Sequence, residues 1–135
     1  MQKGIKITIP ASFRKNLSKN MVIARGIDGC LFLYSDKNWR MAKTGLEKLA
    51  NEDSSKDTLR FVNLFLSGAE KIKMSKDGNT IIPFHLADYA NINKDVVLIE
   101  IGMRLSIWSK EEFRKYKDKA KNKISKNILK HISLW

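Results

Sequence analysis

The chain has 135 residues, 43% of them hydrophobic, and its 26 Lys and Arg outweigh 14 Asp and Glu to give a formal net charge of +12. That length suits one core or two interdependent small units, because units of roughly 60 residues are marginal alone, and the charge favours a polyanionic partner: DNA, RNA or an anionic membrane face. The single Cys30 excludes an internal disulfide framework and a cysteine-rich zinc site, and the lack of a signal-like start or a long apolar run predicts a soluble cytoplasmic protein.

Ile5, Ile7 and Ile9 alternate with Lys6 and Thr8, the pattern of a strand with one buried face, and Pro10 ends it. A short helix follows from Ala11 or Ser12 through Phe13 and Leu17. Met21 to Ala24 reads as a second strand. Gly26 to Gly29 is a turn that hands over to a third strand at Cys30 to Tyr34. Ser35 begins a helical cap before Trp39, with Trp39, Met41 or Ala42, Leu46 and Leu49 on one side. Residues 51–57 read as a polar loop, and Asp57 or Thr58 caps a helix over Leu59 to Ser67 that presents Phe61, Val62, Phe65 and Leu66. Glu70 to Met74 is a short strand, Lys76 to Asn79 a hairpin turn and Thr80 to Ile82 a strand stopped by Pro83. A short helix holds Leu86 and Tyr89. Val96 to Ile101 and Leu105 to Trp108 are strands joined at Gly102. Ser109 caps a last helix with Glu112 at its third position.

The order is repeated. KITIPASFR at 6–14 corresponds to NTIIPFHLA at 79–87. Pro10 matches Pro83, Phe13 matches Leu86, Val22-Ile23 matches Val96-Val97, Gly26 matches Gly102, and Tyr34 matches Trp108. Trp39 and Phe113 follow five residues after the last pair. Such an ordered series indicates an internal duplication. Beyond it, Phe113, Tyr116, Ala120, Ile124, Ile128 and Ile132 recur at helical spacing, flanked by Lys115, Lys117, Lys119, Lys121, Lys123 and Lys126, an amphipathic seam that continues to the C-terminus.

Catalytic and nucleotide-binding patterns are missing: there is no GxGxxG, GxxxxGK[ST] or HExxH. His85 and His131 are too few for a histidine-rich metal site. Glu111-Glu112 suits the amides of a helix start better than acid/base work, and Asp28 suits the GIDG turn. No enzyme activity, metal, cofactor or small-molecule ligand is expected. What remains is a set of basic groups beside strands: Lys3, Lys6, Arg14 and Lys15 in the first half, and Lys71, Lys73 and Lys76 in the second. A two-stranded ribbon carrying such groups can enter a DNA major groove. Phe13, Phe32, Tyr34, Trp39 and Trp108 sit at apolar-periodic positions, so they read as core and not as a base-stacking platform.

Taken together, KITIPASFRKNL at 6–17, VIARGIDGCLFLY at 22–34, Trp39, DGNTIIPFHLADYANI at 77–92, VVLIEIG at 96–102 and IWSKEEF at 107–113 resemble the bacterial MraZ family, a tandem version of the AbrB-like swapped-hairpin module. The resemblance implies a mainly β fold with flanking helices (α+β): a duplicated AbrB-like swapped-hairpin β-barrel. It divides the chain into a first module at 1–50, a linking loop and helix at 51–68, a second module at 69–116 and a basic amphipathic C-terminal helix at 117–135. It further implies a nucleoid-associated, sequence-dependent transcriptional regulator. Such a regulator acts as a repressor of the division and cell-wall operon that contains its own gene, binding promoter-proximal direct repeats of double-stranded DNA as a homo-oligomeric ring.

One departure matters. The family pattern sets Asp, three residues and Arg before each Ile-Pro strand. Here those positions are Gln2 and Lys6, then Ser75 and Asn79. Lys6 keeps the charge but not the planar fork of Arg, and Asn79 keeps hydrogen bonding without charge. The DNA-binding set expected on these grounds is Lys3, Lys6, Arg14, Lys15, Lys71, Lys73, Lys76 and Asn79. The alternative is a structural or protein-binding ring with weakened, non-specific nucleic-acid binding.

Overall fold

A computed structural model describes residues 3–126 and 128. In chain order the elements are β1 (Gly4–Thr8), a 3-10 turn (Ala11–Asn16), β2 (Asn20–Arg25), a second 3-10 turn (Ile27–Gly29), β3 (Leu31–Ser35), α1 (Asp36–Glu52), α2 (Lys56–Ser67), β4 (Glu70–Lys73), β5 (Asn79–Pro83), α3 (Phe84–Tyr89), β6 (Val96–Ile101), β7 (Arg104–Ser109) and α4 (Lys110–Ala120). The fold is α+β. Its strands form a two-stranded sheet, β1-β5, and a five-stranded sheet ordered β4-β2-β3-β7-β6. All these pairings are antiparallel. The sheets do not close into a barrel, which corrects that part of the expectation: β4 and β6 remain as the two edges of the larger sheet.

The two halves interlock. β1 pairs with β5, β2 with β4 and β3 with β7, so each of these pairings joins a strand of one half to a strand of the other. The reason lies in the period-two pattern. Ile7 and Ile9 from the first half and Ile82 from the second turn inward, and none is more than 5% exposed. They meet Met21, Ile23, Leu31, Leu33, Leu86, Leu105 and Ile107 in the main core. Neither half supplies enough apolar surface to cover its own strands, and exchanging them buries both sets. Gly4 is required at the crossing, since a Cβ there would lie 1.9 Å from the Ile82 carbonyl oxygen.

The second cluster lies on the other face of the large sheet and is aromatic. Phe32, Tyr34, Phe65 and Trp108 are buried there, with Trp39, Phe113 and Tyr116 packed against them. Trp39 stacks on Phe65 at 5.5 Å between centroids. Trp108 meets Tyr116 at 4.5 Å. These rings are core, as their spacing predicts. Cys30 is buried as well, and burial pushes its thiol up to about 11, so it is held as a neutral hydrophobe.

Several local expectations shift. Ser35 and Ser109 cap α1 and α4, each accepting from the backbone N–H three residues on. α2, however, is capped by Ser55, not by Asp57 or Thr58, because Ser55 accepts from the Thr58 N–H. Helix α1 also runs through Glu52 and shortens the loop read at 51–57. Met41, Leu49 and Phe61 are exposed, while Ala42, Leu46, Val62 and Phe65 face inward. α4 stops at Ala120, residues 121–125 are not helical, Lys126 and Ile128 are helical again, and Ile124 and Ile128 are exposed. At its end the Asn122 side chain donates to the Asp118 carbonyl, a local alternative to helical hydrogen bonding within a run of like charges. His131 and Ile132 lie outside the described residues.

The duplication is offset by one residue from the match read in the sequence. Tyr34 faces Val22, and Trp108 faces Val97. The counterpart of Met21-Val22-Ile23 is therefore Val96-Val97-Leu98, because the second half carries two additional residues between its Ile-Pro and this strand.

Ile9 and Ile82 occupy equivalent places after and within the exchanged strands and are both fully buried. Truncating either, Ile9→Ala or Ile82→Ala, is expected to lower unfolding free energy by about 2–5 kcal/mol, with the double variant departing from additivity because the two sites share one cluster. Urea unfolding followed by circular dichroism measures both quantities.

Candidate nucleic-acid interface

The outer face of the β1-β5 ribbon is mixed, with exposed Ile81 among polar side chains. Lys6 lies opposite Ile81, and Thr8 lies opposite Asn79. Inward positions alternate with these, so the strand that buries Ile7 must present Lys6 and Thr8 to solvent. The hairpin from β4 to β5 brings Lys73 to the same region: the Thr80 hydroxyl donates to the Lys73 carbonyl, and the Met74 N–H donates to the Lys19 carbonyl. The result is a concavity of about 340 Å³ bounded by Lys6, Lys19, Lys73, Ser75, Asn79 and Ile81. Two segments separated by more than 60 residues, one from each half, thus form one surface.

Of the eight residues expected from the sequence, three, Lys6, Lys73 and Asn79, line this concavity. Lys71 is exposed on β4 with Lys73, two residues apart on one face. Lys3 is exposed just before β1, Lys76 is exposed in the hairpin turn, and Lys15 is exposed on the first 3-10 turn. None of these four lines the concavity. Lys19 does line it and was missed. Its signal was faint: it sits in a connecting segment, and only the pairing of β2 with β4 carries it to the ribbon. Gln2, one of the departures from the family pattern, lies outside the described residues.

Arg14 has a different task. Its Nε donates to the Ile9 carbonyl at 2.8 Å and its Nη2 to the Asp77 carbonyl at 2.7 Å. It is half-buried over Gly78, where an added Cβ would lie 2.4 Å from Nη2. Gly78 has φ +85°, which favours glycine in its own right. The guanidinium therefore ties the end of the exchanged strand to the tip of the hairpin and shapes the surface from beneath.

Asn79 is also held. Thr8 Oγ1 donates to its Oδ1 at 2.7 Å, and its backbone N–H donates to Ser75 Oγ at 3.0 Å. Its carboxamide nitrogen makes no hydrogen bond among the described residues, and the residue lines the concavity. Among the described residues, Lys6, Lys19 and Lys73 make no salt bridge. Their ammonium groups are therefore available to an anion. His85 sits away from this surface and pairs with the Glu70 carboxylate. No group of three or more His, Cys, Asp or Glu side chains among the described residues is placed to hold a metal ion, and no helix there is long and apolar enough to cross a membrane.

A family model described as "MraZ protein, putative antitoxin-like" matches this chain in two segments, residues 4–62 and 65–131, one on each half of the interlocked fold. The chain belongs to the MraZ family. It is 41% identical to a Transcriptional regulator MraZ of Clostridium tetani over 113 residues, 84% of this chain and 78% of that protein. It is 34% identical to the protein of the same name in Syntrophomonas wolfei over 131 residues, 95% of this chain and 90% of that one. The Clostridium acetobutylicum relative is 35% identical over 115 residues, 85% and 80% of the two chains. The shared name of these MraZ relatives is that of a regulator and not of an enzyme.

The Arg14 clamp can be separated from the surface it supports. Gly78→Ala is expected to destabilise the MraZ fold by about 1–3 kcal/mol through its backbone conformation and the collision with Arg14. In an Arg14→Ala background the same change costs less, because only the backbone strain remains. A double-mutant cycle in urea reads the coupling, and additive losses would show that the two residues act independently.

Proposed function

We propose that this MraZ-family protein is a DNA-binding transcriptional regulator whose exchanged ribbon and β4-β5 hairpin contact duplex DNA. The observation that carries the reading is one concavity lined by Lys6, Lys19, Lys73 and Asn79, whose lysines make no salt bridge among the described residues. Convergent ammonium groups attract phosphates at any sequence. The Asn79 amide and the Thr8–Asn79 pair offer hydrogen-bonding groups on a ribbon narrow enough for a major groove. Lys3, Lys71 and Lys76 extend the positive field to either side, and Lys15 adds charge on the neighbouring turn. In this reading the protein acts on direct repeats upstream of its own gene, as a repressor, in the form of a homo-oligomeric ring located at the nucleoid.

A second reading is favoured by one observation. Among the described residues, no arginine is free on the ribbon for bidentate contact with guanine: the family positions hold Lys6 and Asn79, and Arg14 is engaged as a clamp. A structural ring with non-specific nucleic-acid affinity would show the same basic surface without sequence preference.

The two readings separate in a salt series of binding to DNA from immediately upstream of the gene and to shuffled DNA of equal composition. The regulator reading expects a preference for the upstream duplex that survives moderate salt. Equal and steeply salt-sensitive binding to both duplexes favours the structural reading. Replacing Lys3 and Lys6 with alanine is expected to weaken binding and to reduce the slope of log affinity against log salt by about 0.9 for each phosphate that is no longer neutralised. An unchanged slope would remove these lysines from the interface.

A further inference from the structure

The two exchanged strands turn the same two residue types in opposite directions. In β1 the order is regular: Ile7 points inward and is 5% exposed, and Thr8 faces solvent. Counted back from Pro83 as these are from Pro10, the equivalent places in β5 hold Thr80 and Ile81. There the directions are reversed, with Thr80 2% exposed and Ile81 38% exposed. Packing alone would swap the two residues. A buried hydroxyl has to find a partner, and Thr80 does so by donating to the Lys73 carbonyl at 2.9 Å. An outward isoleucine leaves in water the apolar area that its neighbour's place would have buried.

A lone exposed isoleucine is ordinary on a protein surface. This one is set among cations. It lies directly opposite Lys6, two residues along from Asn79 on the same strand, and it lines the concavity with Lys6, Lys19 and Lys73. An apolar protein partner seated there would have to strip water from these ammonium groups without replacing it. A duplex brings phosphates to the lysines and base edges to the residues between them. Of the groups displayed in the major groove, the apolar one is the C5-methyl of thymine.

We propose that Ile81 packs against the C5-methyl group of a thymine in the major groove and is a specificity-determining residue of this surface. The inference rests on the reading of the ribbon as a DNA-binding element and deepens it. The lysines attract any duplex, because phosphates are the same at every sequence. Ile81 adds a contact that only a methyl-bearing base completes, and a cytosine or purine at that position leaves its apolar surface against polar base edges. Thr8, at the equivalent place in the first half, has its hydroxyl committed to Asn79 Oδ1. The methyl contact is therefore assigned to the second half alone.

The test removes the methyl group and nothing else. In the duplex from immediately upstream of the gene, each thymine is replaced in turn by uracil, which pairs in the same way and lacks only the C5-methyl. Affinity of the full chain for each duplex is measured at one moderate salt concentration. The expected result is a loss of about three- to fivefold at one or more positions, the worth of one methyl group taken out of water. Ile81→Ser, with its circular dichroism unchanged, is expected to bind the thymine and uracil duplexes alike, and Ile81→Val to keep most of the discrimination. The uracil scan uses the unmodified chain, so a folding defect in a variant does not hide its result. A chain that prefers the upstream duplex to shuffled DNA but is indifferent to uracil at every position overturns the contact and leaves the regulator reading in place. Discrimination that persists in folded Ile81→Ser also overturns it, since another residue then reads the methyl group. Equal binding to the upstream and shuffled duplexes overturns both readings.

Discussion

The exchange of strands between the halves is the constraint on which the rest of the molecule depends. A strand that alternates isoleucine with lysine or threonine has one face to bury, and a module of this size has too little opposing surface to bury it. Pairing β1 with β5 and β2 with β4 places Ile7, Ile9 and Ile82 into a core built from both halves. The prolines finish the arrangement: Pro10 and Pro83 end the exchanged segments at matching points, and each opens a helical turn that packs Phe13 or Leu86 against the same cluster. A lesion in one half is therefore a lesion in both, because no core belongs to a single repeat.

That exchange also creates the basic surface. Burying the isoleucines forces Lys6 and Thr8 outward, and the antiparallel register then decides that Asn79 and Ile81 stand beside them. Lys19 and Lys73 arrive through the β2-β4 pairing, not through sequence proximity. The hairpin tip is set by Gly78 and pinned by Arg14, so the concavity rests on a rigid edge and not on a free loop. Charge concentrated on such a preorganised ribbon loses less conformational entropy on binding than the same lysines on a flexible tail.

Much of this was legible in the residues. Alternation located the strands, Gly26 to Gly29 gave the turn in which Asp28 takes φ +60°, and Ser35 and Ser109 were readable as caps. What escaped notice depends on contacts between distant segments. The task of Arg14 is set by two carbonyls, one of them 63 residues away, while in the sequence it is another basic residue after a proline. The one-residue offset between β2 and β6 was hidden because Val22-Ile23 and Val96-Val97 look alike, and only cross-strand partners distinguish them. The end of α4 was hidden for another reason: apolar spacing continues past Ala120, but residues 121–125 leave the helix and Ile124 and Ile128 are exposed. Periodicity describes which face is apolar, and tertiary packing decides whether a helix forms to bury it.

The duplication is thus a symmetry of pattern more than of environment. Tyr34 and Trp108, or Ser35 and Ser109, hold the same place and the same role. Lys6 and Asn79 hold the same place in their repeats but differ in charge, and they meet the partner strand differently: Lys6 faces Ile81, while Asn79 is bonded to Thr8. A surface built from one copy of each is intrinsically asymmetric, with an ammonium group on one strand and a fixed amide on the other. Two identical arginines across a pseudo-twofold axis would read a palindromic pair of bases alike. This ribbon instead carries different chemistry on its two strands, so a base preference read through it would be directional within a single site.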